Sequence, residues 1–466
     1  MKWQEINVFV LMFVLLSCSQ KPVKDNSEEV KKIIVDQYGS SVINLDIHSF
    51  ELENGLKVIL NKKDELPIFA LNIYYKIGGK NESEGLSGAT HYLEHMMFKG
   101  AKKYKKGEFN KLVEGNGGSF NAYTTTDLTV YHVKMPIEHL ETMLDIEADR
   151  MENLLLDEKA FALEKQVVLE EKKMRYENSD HGKMRRLYME TLFVDTPYEK
   201  PVIGTDKDII GATRQQIFDY FKKYYGPNNA VLVISGNIDY NKTESLVKKY
   251  FGGLKRKNID DEMISLNTTF KFSDKIKNRH IEKHQKGASP NPIFILAIPG
   301  VKMGEEESFV SDILSAVLSY GESSYLNQKL VKSNKAYMSQ ISTGNYSMMH
   351  TGAFVVSGTL LSGKKLKYLR KDILKNLNEA CDEAITERNV QKIKNNYLHH
   401  IFRSFDTTDD ITGFLGDREV YYGDYRFYKK EFKVYDAIST SDVKNYCKKL
   451  FKGKESVLVS FWNKNK

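Results

Sequence analysis

Apolar and polar positions begin to alternate near Ile47, after a polar stretch, and the first runs are short. FELENGLKVIL, residues 50–60, reads as two strands around Asn54-Gly55, a pair that favours a type I′ hairpin turn. PIFALNIYYKI, Pro67–Ile77, is a third strand, followed by a loop over Gly78–Gly85. The period then lengthens to that of helices. Helices are expected over Ser87–Phe98, Lys106–Gly115, Ile137–Leu155 after Pro136, and Asp157–Asn178, with Asp157 as the N-cap of the last. GGSFNAYT, Gly117–Thr124, reads as a turn entering an alternating strand, and AVLVIS, Ala230–Ser235, as a continuous apolar strand.

The pattern repeats. Tyr220, Lys222, Lys223, Val231, Leu232 and Val233 recur as Tyr446, Lys448, Lys449, Val457, Leu458 and Val459, at an offset of 226. Pro67-Ile68-Phe69 recurs as Pro292-Ile293-Phe294, at an offset of 225. Two matches so close in offset, one near each end, indicate a duplicated domain. The expected organisation is a first unit over 47–254, a charged linker over 255–278 and a second unit over 279–466.

Composition adds limits. The 466 residues are 41% hydrophobic and 28% charged, as expected of a globular protein with room for two domains. The net charge of +7 is spread among acids, with no dense basic patch, so no nucleic-acid partner is expected. The N-terminus differs: Ile6–Leu16 is apolar, too short to span a membrane, and ends in Leu15-Leu16-Ser17-Cys18. That ending resembles a bacterial lipobox, which implies a signal peptide over 1–17 and lipidation of Cys18. The chain would then be exported and anchored to a membrane by a polar tether over 18–46; ordinary signal cleavage or an uncut anchor are the alternatives. The remaining two, Cys381 and Cys447, could pair in an exported chain, but they lie on separate helical patterns with nothing to fix their distance, and free or buried thiols are expected.

The chemistry concentrates in His91-Tyr92-Leu93-Glu94-His95. Residues four apart stack on one face of a helix, so His91 and His95 can share one metal ion. Glu94 falls near that ion, placed as a general base rather than a third ligand. This is the H-x-x-E-H order of inverzincins and points to a zinc metallopeptidase, one zinc per chain. Two histidines on a helix can also be plain surface residues. A third ligand is needed, and Glu164 and Glu171, two helical turns apart, share a face from which either could serve; Glu170 points about 100° away. The other could hold a ligand imidazole in its tautomer. Stepping the repeat offset of 225 forward from His91, Glu94 and His95 lands on Ala316, Ser319 and Tyr320, so the second copy lacks the ligands. His280 and His284, His399 and His400, and His181 do not form a competing set, since their segments read as strand, divergent helix and loop.

HYLEHMMFKG, GGSFNAYTTTDLTVYH, EKQVVLEEKKM and PYEKPVIGT, in this order and spacing, resemble the pitrilysin/insulinase family of zinc peptidases, which includes the mitochondrial processing peptidases. The resemblance covers most of 50–254 and is weaker beyond. It implies an α+β fold of two homologous domains, each an antiparallel sheet with helices packed on one side. It implies zinc ligands His91, His95 and Glu171, general base Glu94, and Glu164 behind the ligands. It assigns the edge strand with Asn121, Ala122 and Thr124 to the peptide substrate, by added-strand pairing. The family's inactive repeat carries an Arg and a Tyr seven apart near the substrate; here Tyr337 fits the Tyr, but Leu330 stands at the Arg position. That departure implies a dimer, in one form a heterodimer with a zinc-less homologue that supplies the pair. A non-catalytic, peptide-binding subunit is the alternative.

Overall fold

The computed structural model describes residues 45–259, 264–453 and 455–463. Cys18, the segment 1–17 and residues 18–44 of the tether lie outside the described residues. Two sheets organise the rest. The first contains β1 (Ile47–Glu51), β2 (Lys57–Lys62), β3 (Ile68–Tyr75), β4 (Ser119–Thr124), β5 (Thr129–Pro136) and β6 (Ala230–Gly236), in the order β1-β2-β6-β3-β5-β4. The second contains β7 (His280–Lys286), β8 (Ile293–Gly300), β9 (Met338–Ser347), β10 (Gly352–Leu360) and β11 (Ser456–Trp462), in the order β7-β11-β8-β10-β9. With β1 set aside, the two orders superpose strand for strand. The repeat offsets recur in the strand bounds: β3 and β8 start at 68 and 293, β6 and β11 at 230 and 456.

The antiparallel arrangement holds for every pairing except β2–β6 and β7–β11, which are parallel. A parallel pair needs a long crossover, and here nearly the whole of each half lies between its two members. The β1–β2 hairpin forms, but its turn is not type I′. Type I′ requires positive φ at both central residues. Only Gly55 (φ +87°) has it, and Asn54 does not. Asn54 is instead buried, donating to the carbonyls of Phe251 (2.7 Å) and Leu254 (3.0 Å) while accepting from Leu56 N–H (3.3 Å). A tertiary use of the side chain, nearly two hundred residues away, sets the turn.

Each sheet packs its own half's helices on one face. The other face is covered reciprocally. Helix Asp180–Leu192 belongs to the first half but lays Met184, Tyr188 and Leu192 against Ile293, Ile295, Val457 and Val459 of the second sheet. Helix Thr408–Tyr422 returns the exchange, packing Ile411, Phe414 and Leu415 on Ile59, Tyr74, Val231 and Val233 of the first. A Cβ on Gly416 would stand 2.1 Å from the Tyr74 ring, so only glycine lets this helix approach so closely. The halves are therefore interlocked.

Cys381 and Cys447 form a disulfide, contrary to the expectation of free thiols. Helices Leu369–Glu383 and Thr440–Phe451 pack side by side in the second core, which brings both buried faces to a Cα–Cα distance of 5.6 Å. Spacing along the chain carries no sign of that contact. His280 and His284 lie on β7, where each Nδ1 meets a serine of β11, Ser456 Oγ at 2.8 Å and Ser460 Oγ at 2.7 Å. On a strand they point the same way but cannot converge.

Candidate active site

Helix Ala89–Met96 carries the motif. It begins at Gly88 in the left-handed region (φ +93°), where a Cβ would stand 2.5 Å from the Ile203 carbonyl. Its first turn is capped from outside: the Glu82 carboxylate accepts from the N–H groups of Gly88 (2.7 Å) and Thr90 (2.8 Å). Leu93 and Met96 are buried in the first core, and Tyr92 OH donates to the Phe161 carbonyl. With that face fixed, His91 and His95 are turned toward helix Glu158–Lys172, and Glu94 toward β4. Asp157 caps this second helix as expected, accepting from Ala160 N–H at 2.8 Å. Its last turn continues as a π-helical turn, Lys173–Glu177.

The two glutamates lie on different sides of His95. Glu171 Oε2 lies 3.2 Å from His95 Nε2 and 3.7 Å from His91 Nε2. Glu164 stands on the other side of His95, its Oε1 2.9 Å from Nδ1, while its Oε2 pairs with Lys99 Nζ at 2.6 Å. Arg175 holds the second oxygen of Glu171 at 2.9 Å. Among the described residues, His91, His95 and Glu171 are the group of His, Cys, Asp or Glu whose ligand atoms all fall within 4.8 Å of one another.

These residues fit zinc. Bonds of about 2.0–2.1 Å in a tetrahedron put neighbouring ligands about 3.3 Å apart, the range of the two measured separations. Two imidazole nitrogens, one carboxylate oxygen and an open side are the donor set of catalytic zinc. Burial, then the charge of His95, pushes His91 down to about 3, which keeps it in the neutral, ligating form. Burial works against charge on His95 too, but Glu164 and Glu171 outweigh it and raise His95 to about 9. The same negative field favours a divalent cation at Nε2, whose binding displaces that proton. His91 Nδ1 is buried without a hydrogen-bond partner among the described residues.

Glu94 is raised to about 7 by burial, with a hydrogen bond from Thr124 opposing. Thr124 Oγ1 donates to Glu94 Oε2, so this residue of the edge strand steadies the carboxylate. Asn121 and Ala122 lie on β4, which among the described residues is the outermost strand of its sheet and is paired to β5 alone. The Asn121 side chain accepts from Ala122 N–H at 2.8 Å, and Ala122 is buried. Between the halves a cavity of about 320 Å3 opens beside His91, walled by Thr124 to Leu128, Arg175 and residues of the second half.

Tyr337 lies in the second half, against that half's own core. It stands just before β9, packed against the second core, with Lys365 over its ring at 5.1 Å and its hydroxyl buried and unbonded among the described residues. Its backbone N–H binds the carbonyl of Leu330, itself in that core, so both positions serve packing here. Arg175 sits four residues after Glu171, where helical spacing could have shown it, whereas Lys99 reaches Glu164 from beyond the end of its own helix and left no sign in the sequence. The cap from Glu82, across a loop, left no such sign.

The sequence model of the insulinase family (peptidase family M16) matches residues 57–206, and that of the peptidase M16 inactive domain matches 211–397. The chain is 31% identical to a zinc protease, PqqE, of Helicobacter pylori over 79% of this chain and 82% of that protein. It is 23% identical to a mitochondrial-processing peptidase subunit beta of Lentinula edodes over 88% and 89% of the two chains. The crystal structure of a protease from Helicobacter pylori superposes with a TM-score of 0.80 at 28% identity, over 90% of this chain and 100% of that one.

Proposed function

Because this chain belongs to the insulinase (M16) family of peptidases, we propose that it is a zinc-dependent endopeptidase acting on peptides or unfolded segments. The observation that carries the reading is the meeting of His91 Nε2, His95 Nε2 and Glu171 Oε2, with Glu94 one residue from a ligand and turned to the edge strand β4. Zinc bound there would supply a water acidified to near neutrality and would polarise the scissile carbonyl.

The protein's own groups do the rest. Glu94, raised to about 7, can take a proton from the attacking water at neutral pH and return it to the leaving nitrogen. Thr124 fixes which of its oxygens faces the site. β4 offers an open edge on which an extended peptide can align; Asn121 must release Ala122 N–H for full pairing.

Leu330 in place of Arg, with Tyr337 turned into its own core, supports a second, zinc-less chain that supplies the missing pair. The same observation favours the rival reading, a non-catalytic peptide-binding subunit. The lipobox-like ending at Cys18 supports an exported, membrane-anchored protein, and the Cys381–Cys447 bond is of a kind that persists in oxidising compartments. Glu94→Gln should retain zinc and lose hydrolysis of a quenched peptide by at least about a hundredfold. Undiminished turnover in that variant sinks the mechanism. Zinc binding without hydrolysis in the unaltered chain, alone and with a zinc-less homologue, establishes the rival.

A further inference from the structure

The cavity beside His91 is lined by several charged groups, and nearly all are already engaged. Arg175 pairs with Glu171, Arg186 with Glu190 at 3.4 Å, and Arg418 with Glu431 at 2.9 Å. Of the remaining carboxylates, Asp312 accepts from Asn345 (2.9 Å) and Tyr435 (2.7 Å), and Glu199 from Asp195 N–H (2.8 Å). Asp127 is held by Tyr198 and by Met349 N–H, and Asp417 by Tyr74. Arg185 and Lys200 are left: both line the cavity, and neither has a carboxylate within 4 Å among the described residues.

Arg185 is the more telling. It comes from helix Asp180–Leu192, the one lent to the second sheet, and its guanidinium is open to water although Tyr176, Tyr188 and Tyr346 surround it. It donates to Tyr346 OH of β9, at 3.3 Å across the two halves. The hydroxyl accepts that bond, so its own proton remains to be donated. A guanidinium with spare donors and a hydroxyl with a spare proton, on one wall, match the two oxygens of a carboxylate. We propose that Arg185 and Tyr346 form a carboxylate-binding subsite for the peptide, which anchors either an acidic side chain or the C-terminal carboxylate while the chain passes His91. This rests on the peptidase reading above. It gives the metal-free half a direct part in substrate choice, which Tyr337 does not provide.

The test uses the full, zinc-loaded chain carrying Glu94→Gln, with fluorescein-labelled ten-residue peptides read by anisotropy. One pair differs only in a free or amidated C-terminus; a second, amidated, differs only in Glu or Gln at a central position. At least one carboxylate form should bind about tenfold tighter than its neutral match, the scale of one charge-assisted hydrogen bond. The pair that shows it identifies the source. Arg185→Gln should bring that ratio near one, Arg185→Lys should restore part of it, and Tyr346→Phe should reduce it. Equal or undetectable binding of both members of each pair overturns the subsite, as does a ratio that survives Arg185→Gln in protein that retains zinc. Failure of the chain with Glu94 intact to cut any of the four peptides counts against the peptidase reading alone, because the binding ratio does not depend on turnover.

Discussion

Replacing Glu164 and Glu171 one at a time separates the ligand from its support. Glu171 reaches both Nε2 atoms, whereas Glu164 touches only His95 Nδ1, at 2.9 Å. Sharing the roughly 10–16 kcal/mol of a four-ligand zinc site equally gives about 3 kcal/mol per ligand, so Glu171→Gln should weaken zinc more than about a hundredfold. Glu164→Gln keeps an oxygen for Nδ1–H but loses the charge and leaves Lys99 beside His95 without its 2.6 Å partner. Losing such support costs about 10–100-fold in metal affinity, or about 1.4–2.7 kcal/mol. Glu170, exposed and turned away, is the control and should change nothing. Competition against a chromogenic chelator at pH 7 measures all three. Equal losses for Glu164→Gln and Glu171→Gln, or any loss for Glu170→Gln, would refute the assignment.

The disulfide and a buried carboxyl give two further tests. Cys381–Cys447 closes a separation of 66 residues, which by chain entropy stabilises the fold by about 4 kcal/mol; Cys381→Ser should lower the urea midpoint, and an unchanged midpoint would show that the bond does not form. Burial pushes Asp312 up to about 6, with bonds from Asn345 and Tyr435 opposing. Its folded value lies above its unfolded one near 4, so its contribution is complete below about pH 4 and is lost as pH rises through 6. Urea titrations of metal-free protein should show stability falling across that window, with the slope reduced in Asp312→Asn; identical slopes would contradict this.

Local features were legible because the groups that make them are close along the chain. Asp157 caps its own helix, and His91, Glu94 and His95 need only helical spacing. The repeat was legible because β3, β6, β8 and β11 keep both pattern and offset. What required tertiary contact was not. Asn54-Gly55 reads as a type I′ turn until Phe251 and Leu254 claim the Asn54 side chain. Cys381 and Cys447 meet only after two helices pack. The reciprocal helices Asp180–Leu192 and Thr408–Tyr422 carry nothing in their sequences that says which sheet they cover. Glu164 and Glu171 share a helical face, so only their placement against the two nitrogens of His95 tells them apart. Tyr337 matched a spacing whose other member is absent, and its surroundings use it for packing.

The central claim is that one zinc ion is held by His91, His95 and Glu171. An anomalous difference map at the zinc absorption edge, from crystals of the chain purified with zinc, tests it most directly. One strong peak is expected, bounded by His91 Nε2, His95 Nε2 and Glu171 Oε2, with Glu164 outside bonding reach. A peak elsewhere, or a metal held by Glu164 in place of Glu171, would contradict it.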